Sequence, residues 1–504
     1  MDENVIFNQN KTQDPPGSVN TAGESSNTQI PTQSPSIPQS ATPPVVVPAS
    51  VTPIPPQGVP AGTDGTLPKP PSQSILPKIL KIVGALIAVL LVVFLIVRFV
   101  VPFFGEKEAE KVTLTYWSLW EDKSVMQGLI NDFQRENPSI TIEYIRKDIK
   151  QYRQSLSTQL SEGSGPDIYR FHNSWVGMMS SFLSPLSTDV VSPEDFKQTY
   201  FPVVSRDLIR NGGIYGIPLG FDTLALFVNT DIFESNGTAV PKTWDDFIVA
   251  SKALTVKNEA GEIQTAGAAL GTYDNITHAP DIIALLMAQN GTDFSNFDKT
   301  KANAAQAIEF YRAFSSGEGS VWTGTLDPSL VAFAKGNLAM YFGYSWDIFA
   351  LSELNKELKY TVHPVPSLPG REMSIASYWV DGVSSKSPHQ KEAMLFMKYL
   401  AQRTTAEKFY TESAKTRAFG ELYARKDLAQ TLQNNTQIYP FVSQGEKAVS
   451  SYFVSDTYDD GINTQMNTYL GNTVRSVENA SSIQTAVDTL AQGVSQVLSK
   501  YGRW

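Results

Sequence analysis

One apolar stretch, from Ile79 to Phe104, limits what this chain can become more than any other part of it. Between Ile82 and Phe104 the only charged residue is Arg98. About 20 helical residues span the ~30 Å hydrocarbon core of a bilayer, and helices inside soluble proteins are rarely apolar on every face over such a length. We therefore predict one transmembrane helix over residues 78–104. More than 70 residues precede it, so we expect a retained anchor and not a cleaved signal peptide.

The charges on either side of this helix predict its orientation. Lys69, Lys78 and Lys81 precede the uncharged core, whereas Glu106 and Glu108 follow it. Lysine and arginine are enriched on the cytoplasmic side of membrane helices. We expect a single-pass protein of the cell membrane, with its N-terminus in the cytoplasm and its large C-terminal part outside the cell.

The segment before the helix, residues 1–77, holds 16 of the 31 prolines of the chain and one aromatic residue, Phe7. Such a composition offers too little apolar surface to offset the entropy lost on folding. We expect a disordered cytoplasmic tail that is rich in proline, serine and threonine, and a folded domain over residues 111–504.

Composition excludes several classes of function. A net charge of −10 argues against nucleic-acid binding, which depends on basic surfaces. The absence of cysteine excludes disulfides, thiolate ligands and a lipid-bearing thiol. The four histidines are scattered without ligand spacing, and residues 456–461 resemble a calcium loop but have Tyr458 where a ligand is expected. We predict no metal, no cofactor and no nucleic acid.

The folded part begins with alternating elements. Residues 112–117 alternate apolar and polar, as a strand does, and Ser124 is expected to cap the helix that follows. Residues 140–145 and 168–171 have the same strand character, with a second helical pattern between them. This order predicts an α/β fold with a parallel sheet and right-handed crossovers.

Nine short segments, each weak alone, occur in the order that they have in one known family. With them, residues 111–425 resemble the extracellular solute-binding proteins of ABC importers, in particular the sugar binders similar to maltose-binding protein. Members usually have a cleaved signal peptide, often with a lipid-bearing cysteine, which this chain replaces with a tail and an apolar helix. The segments are Leu114–Trp120, Phe133–Glu143, Gly165–Ile168, Ser184–Leu186, Gly213–Pro218, Asp222–Asn229, Pro241–Phe247, Phe333–Met340 and Ser385–Pro388.

The resemblance implies the two-lobed, type II periplasmic-binding-protein fold with a central cleft. Lobe 1 would comprise about 111–219 and 380–430, and lobe 2 about 222–378 and 431–504. The chain would cross between the lobes near 219–222 and again near 377–383. The resemblance also implies a small-molecule ligand, most simply a sugar, and ABC permease subunits as partners.

Ligands of open α/β sheets bind beyond the carboxyl ends of the strands, where this sequence places several aromatic and polar residues. Sugars suit them, because rings stack on the C–H face of a pyranose while carboxylates and amides bind its hydroxyls. Some of the predicted ligand-binding residues are carried over from the family position by position, and others lie at these strand ends and crossovers. The full set is Trp117, Trp120, Asp122, Asn173, Trp175, Asp222, Trp346, Tyr378 and Arg417.

Alternatives stay open at this point. Trp117 ends a strand and suits the core as well as a ligand platform, and Glu121–Asp122 suits a solvated loop. Trp244, Trp322 and Trp504 are expected to be structural. Two other functions fit the same chain: a ligand-sensing receptor that is not coupled to import, and a carbohydrate-active enzyme, for which the sequence offers no recognised catalytic motif.

Overall fold

The computed structural model describes residues 76–100, 110–479 and 481–502, with side chains described from residue 79 in the first range. It divides into two compact units at Pro102, each described here by itself. The predicted disordered tail, residues 1–77, lies outside the described residues except for Leu76 and Pro77, which begin a helix. Trp504, predicted to be structural, also lies outside the described residues.

The first unit contains a long apolar helix, α1 (Leu76–Leu95), which continues as a π-helix over Ile96–Val100. Within the described residues, Ile79–Phe99 is the one helix long and apolar enough to cross a membrane. Its side chains are exposed within the structure. The helix begins two residues before the predicted start, and the predicted end over 101–104 lies outside the described residues.

The second unit alternates strands and helices. Its strands are β1 Val112–Ser118, β2 Ile140–Arg146, β3 Ile168–His172, β4 Leu183–Ser184, β5 Ile209–Arg210, β6 Gly213–Ile214, β7 Ile217–Pro218, β8 Asp222–Thr223, β9 Ala225–Asn229, β10 Val256–Lys257, β11 Ile263–Ala268, β12 Leu338–Gly343, β13 Tyr360–His363, β14 Ala376–Ser377 and β15 Trp379–Ser384.

Its α-helices are α2 Lys123–Glu136, α3 Ile149–Glu162, α4 Val176–Met179, α5 Pro193–Thr199, α6 Pro202–Leu208, α7 Thr230–Ser235, α8 Trp244–Ala253, α9 Ala279–Gln289, α10 Phe297–Ala313, α11 Ser329–Ala334, α12 Asp347–Leu354, α13 Gln390–Leu400, α14 Arg403–Ala414, α15 Lys426–Ala429, α16 Tyr439–Ser443, α17 Ile462–Glu478 and α18 Ile483–Tyr501. Short 3₁₀-helices cover Asn173–Trp175, Phe294–Asn296, Gln430–Leu432 and Gly445–Lys447.

Two sheets organise the unit into two lobes. The lobe 1 sheet has the order β2-β1-β3-β15-β4, with β7 also paired to β15, and the lobe 2 sheet has the order β10-β11-β12-β9-β13. In lobe 1, β1 pairs in parallel with β2 and β3, as the sequence predicts. The late strand β15 then adds antiparallel to β3. The predicted α/β, two-lobed fold is therefore the fold observed.

Burial explains why these segments form these elements. In β2 the side chains alternate between buried and exposed at its start, whereas every residue of β9 and β12 is buried, as in strands covered on both faces. Helix α2 buries one stripe at helical spacing against the sheet. Trp244 and Trp322 lie in the core, in agreement with their predicted structural role.

The start of α8 has a side-chain cap, whereas the cap predicted for α2 is wrong. The Thr243 side chain accepts a hydrogen bond from the amide of Asp246, as a helix cap does. Ser124, the predicted cap of α2, lies inside that helix, which starts at Lys123 after Asp122. The Asp122 carboxylate makes no capping bond because it forms an ion pair with Arg146 on β2.

The chain passes between the two sheets twice. It leaves the lobe 1 sheet after β7 and returns to it at β15, and the short strands β8 and β14 pair antiparallel between the sheets. Helices α17 and α18 pack on each other and against α10, on the lobe 2 side. The exact lobe boundaries proposed from the sequence remain predictions.

Candidate ligand-binding cleft

A cavity of about 600 Å³, which we call the cleft, lies between the two lobes. Lobe 1 contributes residues that follow β1 and residues within β3, lobe 2 contributes the residues after β12, and both crossovers reach its wall. Two later segments, 409–422 and 455–458, also reach it. The volume is in the range typical of small-molecule sites.

Aromatic rings stand on both sides of the cleft. In lobe 1, Trp120 is 44% exposed and meets Trp379 edge to face at 5.7 Å between ring centroids. In lobe 2, Trp346 is 36% exposed and stacks on the buried Tyr344 at 4.3 Å. Large rings this exposed in a folded domain leave faces free for an apolar partner.

An arginine buried in lobe 1 organises the polar floor of the cleft. Arg170 donates to both carboxylate oxygens of Asp381, at 3.0 Å each, and also to Glu121. Burial works to lower the pKa of Arg170, but Asp381 and Glu121 hold it well above its usual value. Arg170 and Glu121 both line the cleft, so the floor carries a fixed set of charges.

His172 supplies a neutral polar group beside that floor. One ring nitrogen lies 2.7 Å from the Ser174 hydroxyl and the other 3.1 Å from the Ser377 hydroxyl. Burial lowers the pKa of His172 to about 3, so the imidazole is uncharged at neutral pH. It lines the cleft next to Trp379, with which it makes an edge contact.

Asp222 connects the first crossover to lobe 2. Its carboxylate accepts hydrogen bonds from the amide of Thr223 at 2.8 Å and from the amide of Ser345 at 2.9 Å. Burial raises the pKa of Asp222 well above its usual value despite these two bonds. The side chain lines the cleft, where it is a hydrogen-bonding group next to the Trp346 loop.

Behind Trp346 lies a buried charged network. His278 lies 2.8 Å from the Asp347 carboxylate through one nitrogen and 2.8 Å from the Ser455 hydroxyl through the other. Burial acts to lower the pKa of His278, but Asp347 and other nearby carboxylates raise it to about 9. The network therefore joins two cleft segments, 345–347 and 455–458.

One corner of the cleft is apolar. Phe349 of lobe 2 stacks on Phe419 at 4.7 Å, and the Arg417 guanidinium lies 5.4 Å from the Phe349 ring. Arg417 also forms an ion pair with Glu421 at 2.5 Å. Arg417 and Glu421 both line the cleft. A ligand that reaches this corner therefore contacts the two phenylalanine rings next to an ion pair without net charge.

The structure brings five of the nine predicted ligand-binding residues to the cleft wall and leaves four elsewhere. At the wall are Trp120, Asp222, Trp346, Tyr378 and Arg417. The residues away from the wall are Trp117, Asp122, Asn173 and Trp175.

Three of these four have partners elsewhere. Trp117 is buried, with the Lys147 ammonium 3.7 Å from the centre of its ring. It is therefore a core residue and not a ligand platform. Asp122 is exposed and paired with Arg146. Trp175 is fully buried, and its indole N–H donates to Asn463 at 3.0 Å.

Asn173 and Trp175 support the wall from behind. The Asn173 amide donates to Asp207 and Ser450, each at 3.0 Å, and Trp175 packs edge-on against Trp379 at 5.2 Å. They position residues that line the cleft without reaching it themselves.

The predicted ligand-binding residues do not include six aromatic residues at the wall: Phe221, Phe349, Trp379, Phe409, Phe419 and Tyr458. Trp379 stands next to the chosen Tyr378, so position alone offered a signal for it. Of the others, Phe349 falls inside a helix, Phe419 lies in the loop after α14, and Tyr458 lies in the segment compared with a calcium loop. Only the folded chain brings them together.

Two α/β lobes joined by crossovers around an aromatic-walled cleft define a bilobal ligand-binding protein. The family described as bacterial extracellular solute-binding protein matches residues 117–407, more than half of the chain. The chain belongs to this family, and the resemblance predicted from nine short segments is confirmed.

Curated relatives agree with this assignment. The multiple sugar-binding protein of Streptococcus mutans is 22% identical over 376 residues, which cover 70% of this chain and 87% of the relative. The maltodextrin-binding protein MdxE of Bacillus subtilis is 21% identical over 308 residues, which cover 58% of this chain and 69% of the relative.

Solved structures share the fold. A cyclo/maltodextrin-binding protein complexed with maltotetraose has a TM-score of 0.63 at 16% identity, covering 78% of this chain and 99% of that chain. The GacH receptor of Streptomyces glaucescens has a TM-score of 0.58 at 20% identity, covering 77% and 99%. At these identities the likeness establishes the fold alone.

Proposed function

We propose that this protein is the membrane-anchored binding component of an ABC importer and captures a carbohydrate, such as an oligosaccharide, in its cleft. The observation that carries the proposal is the pair of exposed indole faces, Trp120 and Trp346, on opposite lobes around buried polar groups. Named relatives bind multiple sugars and maltodextrin, and one structural neighbour holds maltotetraose.

The chemistry of the wall suits a sugar. A pyranose has an apolar C–H face that stacks on an indole, and hydroxyls that need donors and acceptors around its rim. Asp222, Glu121 and the neutral His172 supply such groups within the same cavity. A hinged pair of lobes can then close over the bound ligand and present it to permease subunits.

Calorimetric titration of the full-length chain in detergent, with maltotetraose and a panel of other oligosaccharides, tests the proposal. We expect saturable binding to at least one sugar, and a loss of roughly 10- to 100-fold in affinity for Trp346→Ala, because a buried ring face contributes about 1.5–3 kcal/mol. Leu395→Ala is the matched control, since Leu395 is 47% exposed and outside the cleft. If no sugar binds saturably, or if Trp346→Ala binds like the parent, the proposal is wrong.

We further propose that the bound sugar leaves the cleft unchanged and that the protein is not an enzyme. The carboxylates at the wall support this, because Asp222 is held by two amides and Glu121 is paired with Arg170. Incubation of the sugar with the protein, followed by chromatography, should return it intact. A hydrolysed or transferred product would contradict this.

The proposed topology is a cytoplasmic N-terminus, one span at 79–99 and an extracellular cleft. The helix length and the lysines before it support this arrangement. Because the chain has no cysteine, single substitutions report location cleanly. In intact cells a membrane-impermeant maleimide should label Glu110→Cys and leave Asn10→Cys unlabelled until the cells are lysed. The reverse pattern would overturn the topology.

A further inference from the structure

A second cavity, of about 400 Å³, adjoins the cleft. Asp456, Thr457 and Tyr458 line both spaces, so one stretch of three residues forms a wall that the two share. We call the second space the outer cavity, because it is more open to solvent than the cleft. A ligand that fills the cleft and extends past this shared wall reaches the outer cavity next.

Helix α17 forms much of the rest of the outer cavity. Thr464, Asn467 and Thr468 line it from the first two turns of this helix, and Arg475 lines it from the last turn. Tyr273, in the loop after β11, adds a ring whose hydroxyl donates to the backbone carbonyl of Asn467 at 2.9 Å. Residues three and four apart lie on one face of a helix, so α17 presents one polar surface to the cavity.

The two charged side chains that line the outer cavity are already paired. Arg475 donates to both oxygens of the Asp274 carboxylate, and its guanidinium lies 5.3 Å from the centre of the Tyr273 ring. The Asp456 carboxylate lies 3.6 Å from a ring nitrogen of His278, which is protonated at neutral pH. Because its charges are neutralised, the cavity suits an uncharged ligand with hydroxyl groups better than an ion.

One acceptor in this wall lacks a donor. The side-chain amide of Asn467 donates to the Val454 carbonyl at 2.7 Å, which fixes the orientation of the side chain. The Asn467 Oδ1 atom is buried and has no hydrogen-bond partner among the described residues. A buried acceptor without a donor costs free energy. A hydroxyl group that enters the outer cavity would remove this cost, and every residue of a sugar chain carries hydroxyls.

An aromatic ring stands where the two cavities meet. Tyr458 is 50% exposed and lines both spaces, so part of its ring is free to contact a ligand. The exposed rings of Trp120 and Trp346 have the same character in the cleft. The apolar C–H face of a sugar stacks on such rings. Tyr458 thus extends the set of aromatic platforms from the cleft to the outer cavity.

We propose that the outer cavity binds the distal residues of an oligosaccharide whose first residues lie in the cleft. This inference rests on the function proposed above and narrows it, because the ligand must be long enough to occupy both spaces. Tyr458 stacks on the sugar residue at the shared wall, and Asn467 Oδ1 accepts a hydrogen bond from a hydroxyl of the distal part. Affinity therefore rises with chain length beyond what the cleft alone can hold.

Titration calorimetry of the full-length chain, in a detergent without a sugar headgroup, tests this dependence on chain length. Malto-, manno- and xylo-oligosaccharides are the probes, each as a disaccharide and as a hexasaccharide. In a series that binds, we expect the hexasaccharide to bind roughly tenfold more tightly or better, because a ring contact and a hydrogen bond are added.

Two matched threonine variants separate the outer cavity from the cleft. Thr468 on α17 and Thr489 on α18 are both exposed, and each hydroxyl donates to the carbonyl four residues earlier. Thr468→Trp fills the outer cavity, so it should remove most of the preference for the hexasaccharide and leave the disaccharide affinity unchanged. Thr489→Trp, outside both cavities, should keep the preference. A long chain can also bind the cleft in several registers, but this statistical gain is the same in both variants.

Equal affinity for the short and long members of a series that binds would overturn the inference and leave the proposed function standing. The same preference in Thr468→Trp and Thr489→Trp would also overturn it. Absence of binding at either length in every series would contradict the proposed function, and this inference with it. Melting curves establish that each variant is folded.

Discussion

At the scale of single residues, His278 shows how a buried ring can hold a wall together. It joins Asp347 on one side to Ser455 on the other, and the carboxylate of Asp456 lies 3.6 Å from one ring nitrogen. Asp281, which accepts from Tyr344 and Ser455, adds negative charge nearby. The imidazole of His278 offsets the negative charge of these carboxylates only while it carries its second proton.

The raised pKa of His278 predicts a pH-dependent stability. Its pKa is about 9 in the folded chain against 6.5 for an ordinary histidine, so its contribution is complete below pH 6.5 and is lost as the pH rises towards 9. The free energy of unfolding should fall by about 3 kcal/mol across this window. Urea unfolding followed by tryptophan fluorescence measures this.

Substitution isolates the effect of this histidine. In His278→Gln the decline between pH 6.5 and 9 should disappear, whereas His389→Gln, at the start of α13, should keep it. A decline of the same size in His278→Gln would assign the pH dependence to other groups.

At the scale of elements, the lobe 2 sheet depends on one close approach between a strand and a helix. Gly267 in β11 packs against α8 so tightly that a Cβ there would lie 1.8 Å from the Ser251 carbonyl oxygen. The obstacle is backbone, which cannot rotate away as a side chain can. Bulkier residues at this position must therefore separate the helix from the sheet.

Gly267→Ala should destabilise the protein by about 1–3 kcal/mol or prevent folding, because the helix must shift. The midpoint of thermal unfolding measures it. Gly319→Ala is the matched control, since nothing lies within 4 Å of a Cβ there and the change should be nearly neutral. Equal midpoints for the two variants would contradict the packing argument.

The same scale shows what the sequence could and could not predict. Periodicity located the parallel strands β1 to β3, because local alternation and burial follow the same spacing, whereas the crossings between the lobes came from the family resemblance. It did not show that Trp175 points into the core, since the sequence pattern at an exposed strand end is the same as at a buried turn. Nor did it show that α2 starts at Lys123, with Asp122 and not Ser124 at the cap position. The ion pair between Asp122 and Arg146 is a contact between elements, which a local pattern does not report.

The cleft was half predictable for a similar reason. Residues next to strand ends, such as Trp120, Asp222 and Trp346, followed from the rule for α/β sheets. Phe419 and Tyr458 arrive from segments more than 70 residues beyond β12, and their place depends on how α14 and α17 pack. No local pattern reports that packing.

At the scale of the whole binding unit, one arginine joins the lobes near the cleft. Arg153, on α3 of lobe 1, donates to the backbone carbonyls of Asp459 and Asp460, the latter at 2.9 Å. These residues precede α17, which packs on the lobe 2 side. Asp456, Tyr458 and Asp460 in this loop all have φ between +44° and +58°, a conformation that non-glycine residues hold only when surrounding contacts require it.

Removal of this contact should speed ligand release. In Arg153→Gln we expect the dissociation rate of the bound sugar to rise by roughly 3- to 10-fold with little change in the association rate, because the charge-assisted bonds from α3 to the loop before α17 are lost. Stopped-flow tryptophan fluorescence measures both rates. Arg135→Gln, on α2, serves as the control, and an unchanged dissociation rate would remove Arg153 from the closing contacts.

The cleft wall formed by residues 409–422 and 455–458 lies after residue 407, where the match to the family ends. Its rings and charges stand on loops and helix ends, whereas the two sheets are complete by Ser384. Sequence changes in these later segments can thus alter the ligand preference of such a protein while both sheets stay as they are.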